Sequence, residues 1–396
     1  MAYYLLPPNN NILSIEPDDL NIKLCNNIDN IKSISNSLKY YLSINKTKIE
    51  SVYDEWDNIK KYVNPYEFIH TNIPHLKYAV SKYLPISRSF FKFIEMCSTL
   101  KILDSYYDKP IVSFHLAEGP GGFIEGMLNL RNNINDKYYG MTLISDDINI
   151  PGWNKAEYLL ERHQNISIEK GILGDGDILS HQNYKYCANK YNNSIDIITA
   201  DGGFDFSINF NMQEISSTKL IMVESLYAIS MQKMGGSFLL KVFDCFTQPI
   251  TEIIYLLTMF YKKVYILKPN TSRYANSERY IICKDFKYEC TKHFFPKFYY
   301  IIDKISKSDM FIESIFNYTI PYLYILKIEE INAVIGQQQL DNIITTINLI
   351  NNRNIHDKLE QLKINNITKC INWCIKYNVN YNNINQHNIF LKRIIT

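Results

Sequence analysis

Between Ile111 and Lys284 the chain alternates short apolar runs, rich in β-branched and aromatic residues, with longer stretches whose apolar positions recur at helical spacing. The short runs open the stretch Ile111 to Phe123 and then recur at Tyr138 to Leu143, Ile166 to Ile172, Ile195 to Ala200, Gly236 to Phe243, Lys263 to Leu267 and Arg279 to Lys284. The helical spacing falls between them, at Phe123 to Leu130, Trp153 to His163, Met212 to Lys233 and Thr247 to Phe260. Strands alternating with helices predict an α/β fold with a doubly wound, mostly parallel sheet. Only Lys268 to Glu278, without helical pattern, separates the last two runs, so that pair is expected to be antiparallel at one edge.

The flanks read differently. Residues 1–84 begin turn-rich and asparagine-rich, and Lys46 to Val63 then becomes amphipathic, with Ile49, Val52, Tyr53, Trp56, Ile59 and Tyr62 on one face. Pro65, Pro74 and Pro85 punctuate the exit, which puts a boundary near Pro85. From Ser87 a helix is expected with Phe90, Phe91, Ile94 and Cys97 inward and Arg88, Lys92 and Glu95 on or beside another face. Beyond Cys290 glycine vanishes except for Gly336, Tyr322 to Ile350 predicts one or two helices, and Asp357 to Lys376 another. The expected division is an extension over 1–84, the α/β domain over 85–290 and a helical region over 291–396.

Composition narrows the partners. The formal net charge is +2, from 42 Lys and Arg against 40 Asp and Glu, so any nucleic-acid surface must be a local patch. The eight cysteines have neither CxxC pairs nor the density of a disulfide scaffold, and Cys370 and Cys374 read as packing residues; no metal is expected. The N-terminus MAYYLLPPNN lacks a basic, apolar leader, and the run Ile253 to Tyr261 is far shorter than the roughly 20 residues of a membrane span. The expectation is an intracellular protein, cytoplasmic or nuclear, with no membrane. The 31 tyrosines and abundant Asn, Ile and Lys match an AT-rich coding sequence such as a viral or parasite genome carries.

Candidate chemistry gathers at the carboxyl ends of the strands, where open α/β sheets hold ligands. There the first strand delivers Glu118 and the glycines Gly119, Gly121 and Gly122, which suit a close ligand approach at a helix N-terminus and equally a plain βα connection. The next segments deliver Gly174-Asp175-Gly176-Asp177, then Asp201-Gly202-Gly203, Lys241 and Glu278, with Lys92 added if the helix at Ser87 covers that rim. By spacing alone these acids and lysines also fit capping, snorkelling and surface ion pairs. A GxGxxG dinucleotide fingerprint is absent.

In combination and order, SRSFFK, AEGPGGF, YGMTL, GDGDI, ADGGF, NMQEISSTKL, GGSFLLKVFDCFT and KPNTSRYANSERYIICK resemble the FtsJ/RrmJ-type ribose 2′-O-methyltransferases, over Ser87 to Lys284. Within them the chain looks most like the enzymes specific for the mRNA cap. The resemblance implies a Rossmann-like methyltransferase sheet, S-adenosyl-L-methionine as cofactor, and a capped mRNA 5′ end as substrate, with other capping enzymes as further partners. The family's Lys-Asp-Lys-Glu tetrad falls on Lys92, Asp201, Lys241 and Glu278. Cofactor contacts fall on Ser87, Gly119, Pro120, Gly121, Gly122, Phe123, Asp177 and Asp201, with Asp175 as the second choice for the adenine. Substrate contacts fall on Arg88, Asn211, Gln213, Arg273 and Asn276, and Lys219, Lys268 and Arg279 add basic charge near the motif loops. One departure is that Gly140-Met141-Thr142-Leu143 ends without the acid that usually holds the cofactor ribose; Asp146 and Asp147 follow slightly later.

The implied reaction makes a ribose 2′-hydroxyl the nucleophile, so its proton must be taken or its developing charge stabilised. Lys241 as base requires a pKa lowered from about 10.4 to roughly 7–8, a bias of some 4 kcal/mol. The alternative keeps Lys241 charged, steering the hydroxyl. Two other functions stay open at this stage: the same reaction on ribosomal or transfer RNA, and a catalytically silent cap- or RNA-binding subunit.

Overall fold

A computed structural model describes residues 2–9, 15–145, 147, 150–203, 210–352 and 356–384. Its strands are β1 Tyr3–Leu5, β2 Leu20–Cys25, β3 Val112–Leu116, β4 Lys137–Met141, β5 Ile166–Ile168, β6 Ile195–Ala200, β7 Gln232–Phe243, β8 Tyr261–Leu267, β9 Glu278–Phe286 and β10 Phe311–Phe316. The helices are α1 Asn36–Thr47, α2 Tyr53–Val63, α3 Ser89–Leu100, α4 Gly122–Arg131, α5 Glu157–Arg162, α6 His181–Lys190, α7 Gln213–Met231, α8 Gln248–Phe260, α9 Phe295–Ser306, α10 Tyr322–Asn351 and α11 His356–Lys376. Every strand expected between Ile111 and Lys284 is present, with ends shifted by a few residues.

Eight strands form one sheet in the order β1-β8-β9-β7-β6-β3-β4-β5. The pairs β3–β4, β3–β6, β4–β5 and β6–β7 are parallel. Alternate residues of the central strands face opposite sides: Ile198, Phe238, Leu240 and Ile281 enter one core with α7 and α8, while Ile197, Leu239, Tyr280 and Ile282 enter another with α3 and α4. A sheet covered on both faces is why these strands read as nearly continuous apolar runs.

The antiparallel strand expected at an edge lies further in. β9 pairs with both β7 and β8, and the rim belongs to β1, which pairs antiparallel with β8 and extends through the Leu6 N–H to the Val264 carbonyl at 2.9 Å. A far N-terminal strand closing the sheet carries no local trace near β8. β2 and β10 form a second, two-stranded sheet that sequence inspection missed, although Leu20 and Ile22 are buried while Asn21 and Lys23 are exposed.

The flanks lean on the α/β domain and on each other. The helix expected over Lys46 to Val63 is α2 alone, preceded by a short 3-10 turn, and it buries Trp56 and Ile59 while Tyr53 is exposed. Leu42, Ile49 and Trp56 pack with Ile343 of α10 and with Phe246. Phe68 and Ile69, the α3 residues Phe90, Phe91 and Ile94, and Cys370, Trp373 and Cys374 of α11 share another core, so segments from both flanks press on α3. All eight cysteines are free thiols. No described helix is long and apolar enough to cross a membrane.

Phe91 is buried with its ring edge-on to Trp373, the centroids 5.8 Å apart. Truncation by Phe91→Ala is expected to cost about 3–5 kcal/mol, read as a lower denaturation midpoint at unchanged slope.

Candidate active site

The turn after β3 is built by glycine and by one buried acid. Gly121 takes φ +100°, and a side chain on Gly122 would lie 2.0 Å from Ser89 Oγ and 3.0 Å from Ser87 Cβ, which is how the start of α3 reaches the start of α4. The Glu118 carboxylate accepts the N–H groups of Phe123 and Ile124 at 2.6 and 3.0 Å and the Thr199 hydroxyl at 2.8 Å. The first amides of α4, expected to be open to a ligand anion, are thus capped by the chain's own carboxylate, an anion already placed at the positive end of the helix. The carbonyl of Pro151 approaches Gly119, and the Trp153 ring lies against Gly121 and Gly140. Trp153 Nε1 is buried there without a hydrogen-bond partner among the described residues.

Beside this turn the four tetrad candidates meet, brought together by register. Ala200 of β6 pairs with Leu240 of β7, which sets Asp201 next to Lys241; Lys241 pairs with Tyr280 of β9, and Phe243 with Glu278. Lys241 Nζ donates to the Asp201 carbonyl at 2.6 Å and lies 3.2 Å from its carboxylate. Lys92, from α3, donates to Glu278 Oε2 at 2.8 Å. The Tyr280 hydroxyl donates to Asp201 Oδ1 at 2.7 Å, and Lys92 Nζ stands 6.0 Å from the centre of the Tyr280 ring, so this phenol touches both ion pairs. The four charged side chains are only 10–12% exposed.

Burial alone pushes the Lys241 ammonium down, but Asp201 and Glu278 outweigh it and hold the group above the ordinary lysine value. Burial likewise pushes Glu278 up, and Lys92, Lys241 and Lys268 overcome it and pull the acid down to about 2. Glu278 Oε1 is buried without a partner among the described residues, a spare acceptor inside the cluster. Beneath the Asp201 turn Glu224 is fully enclosed; burial holds it well above the carboxylate range, and the absent side chain of Gly202 admits its oxygen.

Of the adenine candidates, Asp175 accepts from the Asn183 amide of α6 at 2.7 Å and from the Asp177 N–H of its own loop at 3.0 Å. Asp177 Oδ1 accepts the Leu179 N–H at 2.9 Å, and burial, with Asp175 beside it, raises the pKa of its carboxyl. The space next to Gly174 is open. Asp147 is described, whereas Asp146 and Phe204 lie outside the described residues.

The basic residues of the motif loops do not form the exposed patch that their positions suggest. Arg88 donates to both oxygens of Glu67, at 3.1 and 3.0 Å, and to the Thr271 carbonyl. Arg273 also grips Glu67, at 3.1 and 2.8 Å. Arg279 is fully buried against Asn332 and Asp244, and Lys219 donates to the Ser308 carbonyl. Lys268 Nζ donates to Asn276 Oδ1 and to the carbonyls of Asn276 and Glu278 at 2.7–2.8 Å, and burial, opposed by Glu278, pushes it down to about 7. Asn276 is thereby tied to Lys268, Gln213 accepts from the Ser277 hydroxyl, and Asn211 is exposed on the turn before α7. Glu67, the acid that organises two of these cations, precedes every motif and carries no sequence mark. Among the described residues no group of three or more His, Cys, Asp or Glu side chains could hold a metal ion.

A mostly parallel α/β sheet with paired lysines and acids beside a glycine turn defines a methyltransferase domain, and the chain matches the FtsJ-like methyltransferase model over residues 85–286; it belongs to that family. It is 35% identical over 250 residues to the Homo sapiens cap-specific mRNA (nucleoside-2′-O-)-methyltransferase 1, covering 59% of this chain and 29% of the relative. The Danio rerio protein of that name is 40% identical over 176 residues, 43% of this chain and 21% of the relative. The inactive cap-specific mRNA (nucleoside-2′-O-)-methyltransferase 1B of Caenorhabditis briggsae is 33% identical over 181 residues, 44% of this chain and 21% of the relative. The matched part thus spans less than a third of each of these relatives.

Tyr280→Phe removes the phenol donor from Asp201 and leaves the packing. A bond to a charged group contributes about 1.5–3 kcal/mol to stability, so the melting temperature should fall by a few degrees, and with Asp201 no longer fixed methyl transfer should fall roughly 10- to 100-fold at a temperature where the variant is folded, measured as initial rates beside a thermal scan. Because the carboxylates hold the Lys241 proton, the modification rate of its amine in the ligand-free protein should show no inflection below the ordinary lysine value of about 10.4; an inflection near 7 would restore the neutral-base role.

Proposed function

We propose that the chain transfers a methyl group from S-adenosyl-L-methionine to the ribose 2′-hydroxyl of the first transcribed nucleotide of capped mRNA. The observation that carries this is the meeting of Lys92–Glu278 and Lys241–Asp201 beside the glycine turn, with Glu278 Oε1 unpartnered. The donor set fits the cofactor: the Asp201 carboxylate suits its cationic end, Asp177 suits an amino donor, and Ser87, Pro120, Gly121, Gly122 and Phe123 line the turn. Trp153 Nε1 supplies an unpartnered buried donor at the same place. When bound, S-adenosylmethionine supplies an activated methyl group.

The residues of the chain handle the hydroxyl. Glu278 Oε1 accepts its hydrogen bond and orients the oxygen, and Lys241, held charged by the two carboxylates, stabilises negative charge as it develops there. Tyr280 fixes Asp201 so that Lys241 keeps its direction. Arg273, partly exposed, Asn211, Gln213 and Asn276 are the proposed RNA contacts. The working unit is proposed as 85–290, with 1–84 and 291–396 as extensions, in a compartment where capped transcripts are found.

One specific observation keeps a second reading open: a relative named inactive is 33% identical over 181 residues. A catalytically silent cap-binding subunit differs from the proposed enzyme in a single comparison. Incubation with methyl-labelled cofactor and short RNAs, capped or uncapped, is expected to label the 2′-oxygen of the first nucleotide of capped RNA alone, as seen by nucleotide analysis, and Lys241→Ala to abolish labelling while RNA binding persists. Label on uncapped RNA would point to ribosomal or transfer RNA instead.

A further inference from the structure

The segment that precedes the family's span reaches into the site through one acid. We infer that Glu67 is a positioning residue for methyl transfer, fastening the start of α3, which presents Lys92, to the loop that presents Glu278. The inference rests on the proposed methyl-transfer function of that site. Glu67 is fully buried, and its two oxygens accept Arg88 at 3.0 and 3.1 Å, Arg273 at 2.8 and 3.1 Å, the Asn64 amide at 2.6 Å and the Thr71 hydroxyl at 2.9 Å. Arg88 stands one residue before α3, which carries Lys92; Arg273 stands in the loop that ends at Glu278.

The same two elements are stitched again from within. Arg88 donates to the Thr271 carbonyl at 3.0 and 3.2 Å, and Glu95 of α3 accepts the N–H groups of Asn270 and Thr271 at 3.1 and 3.0 Å. Lys92–Glu278 at 2.8 Å is the next contact along the same seam. Glu67 neutralises one of two guanidiniums that would otherwise face each other at the edge of a largely buried seam, and the remaining positive charge falls on Arg273, whose side chain is 39% exposed. Phe68 and Ile69, buried against Phe90, Phe91 and Trp373, hold the acid in place, which gives both extensions a part in the geometry of the site. Removing the carboxylate leaves the guanidiniums in mutual repulsion and lets the loop 269–277 drift from α3.

Hydrogen exchange and kinetics on the full chain test this. In Glu67→Gln, peptides spanning residues 268–278 should exchange faster, kcat/KM for capped RNA should fall about tenfold or more, and the KM for S-adenosylmethionine should stay within about twofold. Glu67→Asp, which retains the charge, should recover part of the loss. The double variant Glu67→Gln/Arg273→Gln should be less impaired than the product of the two single effects, because the repulsion goes with the second charge. Unchanged exchange at 268–278 in a folded Glu67→Gln protein, or fully multiplicative losses, would overturn the proposal. Should Glu67→Gln fail to fold, Glu67→Asp decides alone: unchanged exchange at 268–278 together with an unchanged RNA kcat/KM in that variant overturns it. Wild-type protein that methylates no capped RNA would instead refute the substrate assignment, while the exchange result would still report on the clamp.

Discussion

Four charges held almost out of water, in two opposite-sign pairs, impose the constraint around which the rest of this molecule is arranged. Enclosing a lone ammonium or carboxylate is costly, and a buried pair only roughly offsets that cost when its geometry is good and its remaining lone pairs are satisfied. Here the geometry comes from backbone register. β6 and β7 run parallel so that Asp201 follows the residue beside Leu240, and β9 runs antiparallel so that Tyr280 faces Lys241 and Glu278 faces Phe243. Were β9 to slip by one residue, its side chains would swap faces and Glu278 would leave Lys92. The insertion of β9 between β7 and β8, rather than at the rim, makes such a slip costly, because both of its edges are paired.

Much of this frame was legible along the chain. Strand and helix periods between Ile111 and Lys284 appear because each element buries a face, and burial leaves a local pattern; the β6 run Ile195–Ala200 is buried at every position and was read without error at either end. The tetrad was reached through motif resemblance, since spacing alone left its residues open to ordinary surface roles. What escaped depends on distant partners. β1 pairs with β8 and β2 with β10 across most of the chain's length, and Glu67 meets Arg273 some 206 positions away. An ion pair over such a separation leaves no local periodicity, so Arg88 and Arg273 read as substrate contacts although one acid grips both. Glu118 escaped for another reason: a carboxylate in a glycine turn reads as a ligand contact until its oxygens are seen capping α4.

The two terminal extensions look like appendages in sequence and act as walls in the fold. α10 runs from Tyr322 to Asn351 along α1 and α2, while α11 covers Phe90 and Phe91 on the outer side of α3. α3 is therefore packed on both sides, by α4 within the family's span and by the flanks outside it. A helix that must hold Lys92 against Glu278 in a desolvated site gains from such confinement, because an ammonium free to swing toward water would leave an acid buried and alone.

The charge state of Lys241 follows from an asymmetry within the quartet. Two cations and two anions would cancel if each felt the others equally, and burial would then favour a neutral amine. They do not feel each other equally. Lys92 is engaged with Glu278 at 2.8 Å, so its repulsion reaches Lys241 largely compensated, whereas Asp201 lies 3.2 Å from Lys241 and its carbonyl accepts at 2.6 Å. At an effective dielectric near 20, a unit charge about 4 Å away is worth about 4 kcal/mol, which is of the size that burial removes. Glu224 beneath the turn, its own carboxyl pushed well up by burial, comes behind Asp201 and Glu278 among the groups that hold the Lys241 proton. The ammonium therefore persists, and with it a fixed positive charge beside Asp201 and Glu278. A cationic ligand seated against Asp201 works the other way, competing with Lys241 for the same carboxylate, so proton affinity at Lys241 and ligand binding at Asp201 are two sides of one linkage.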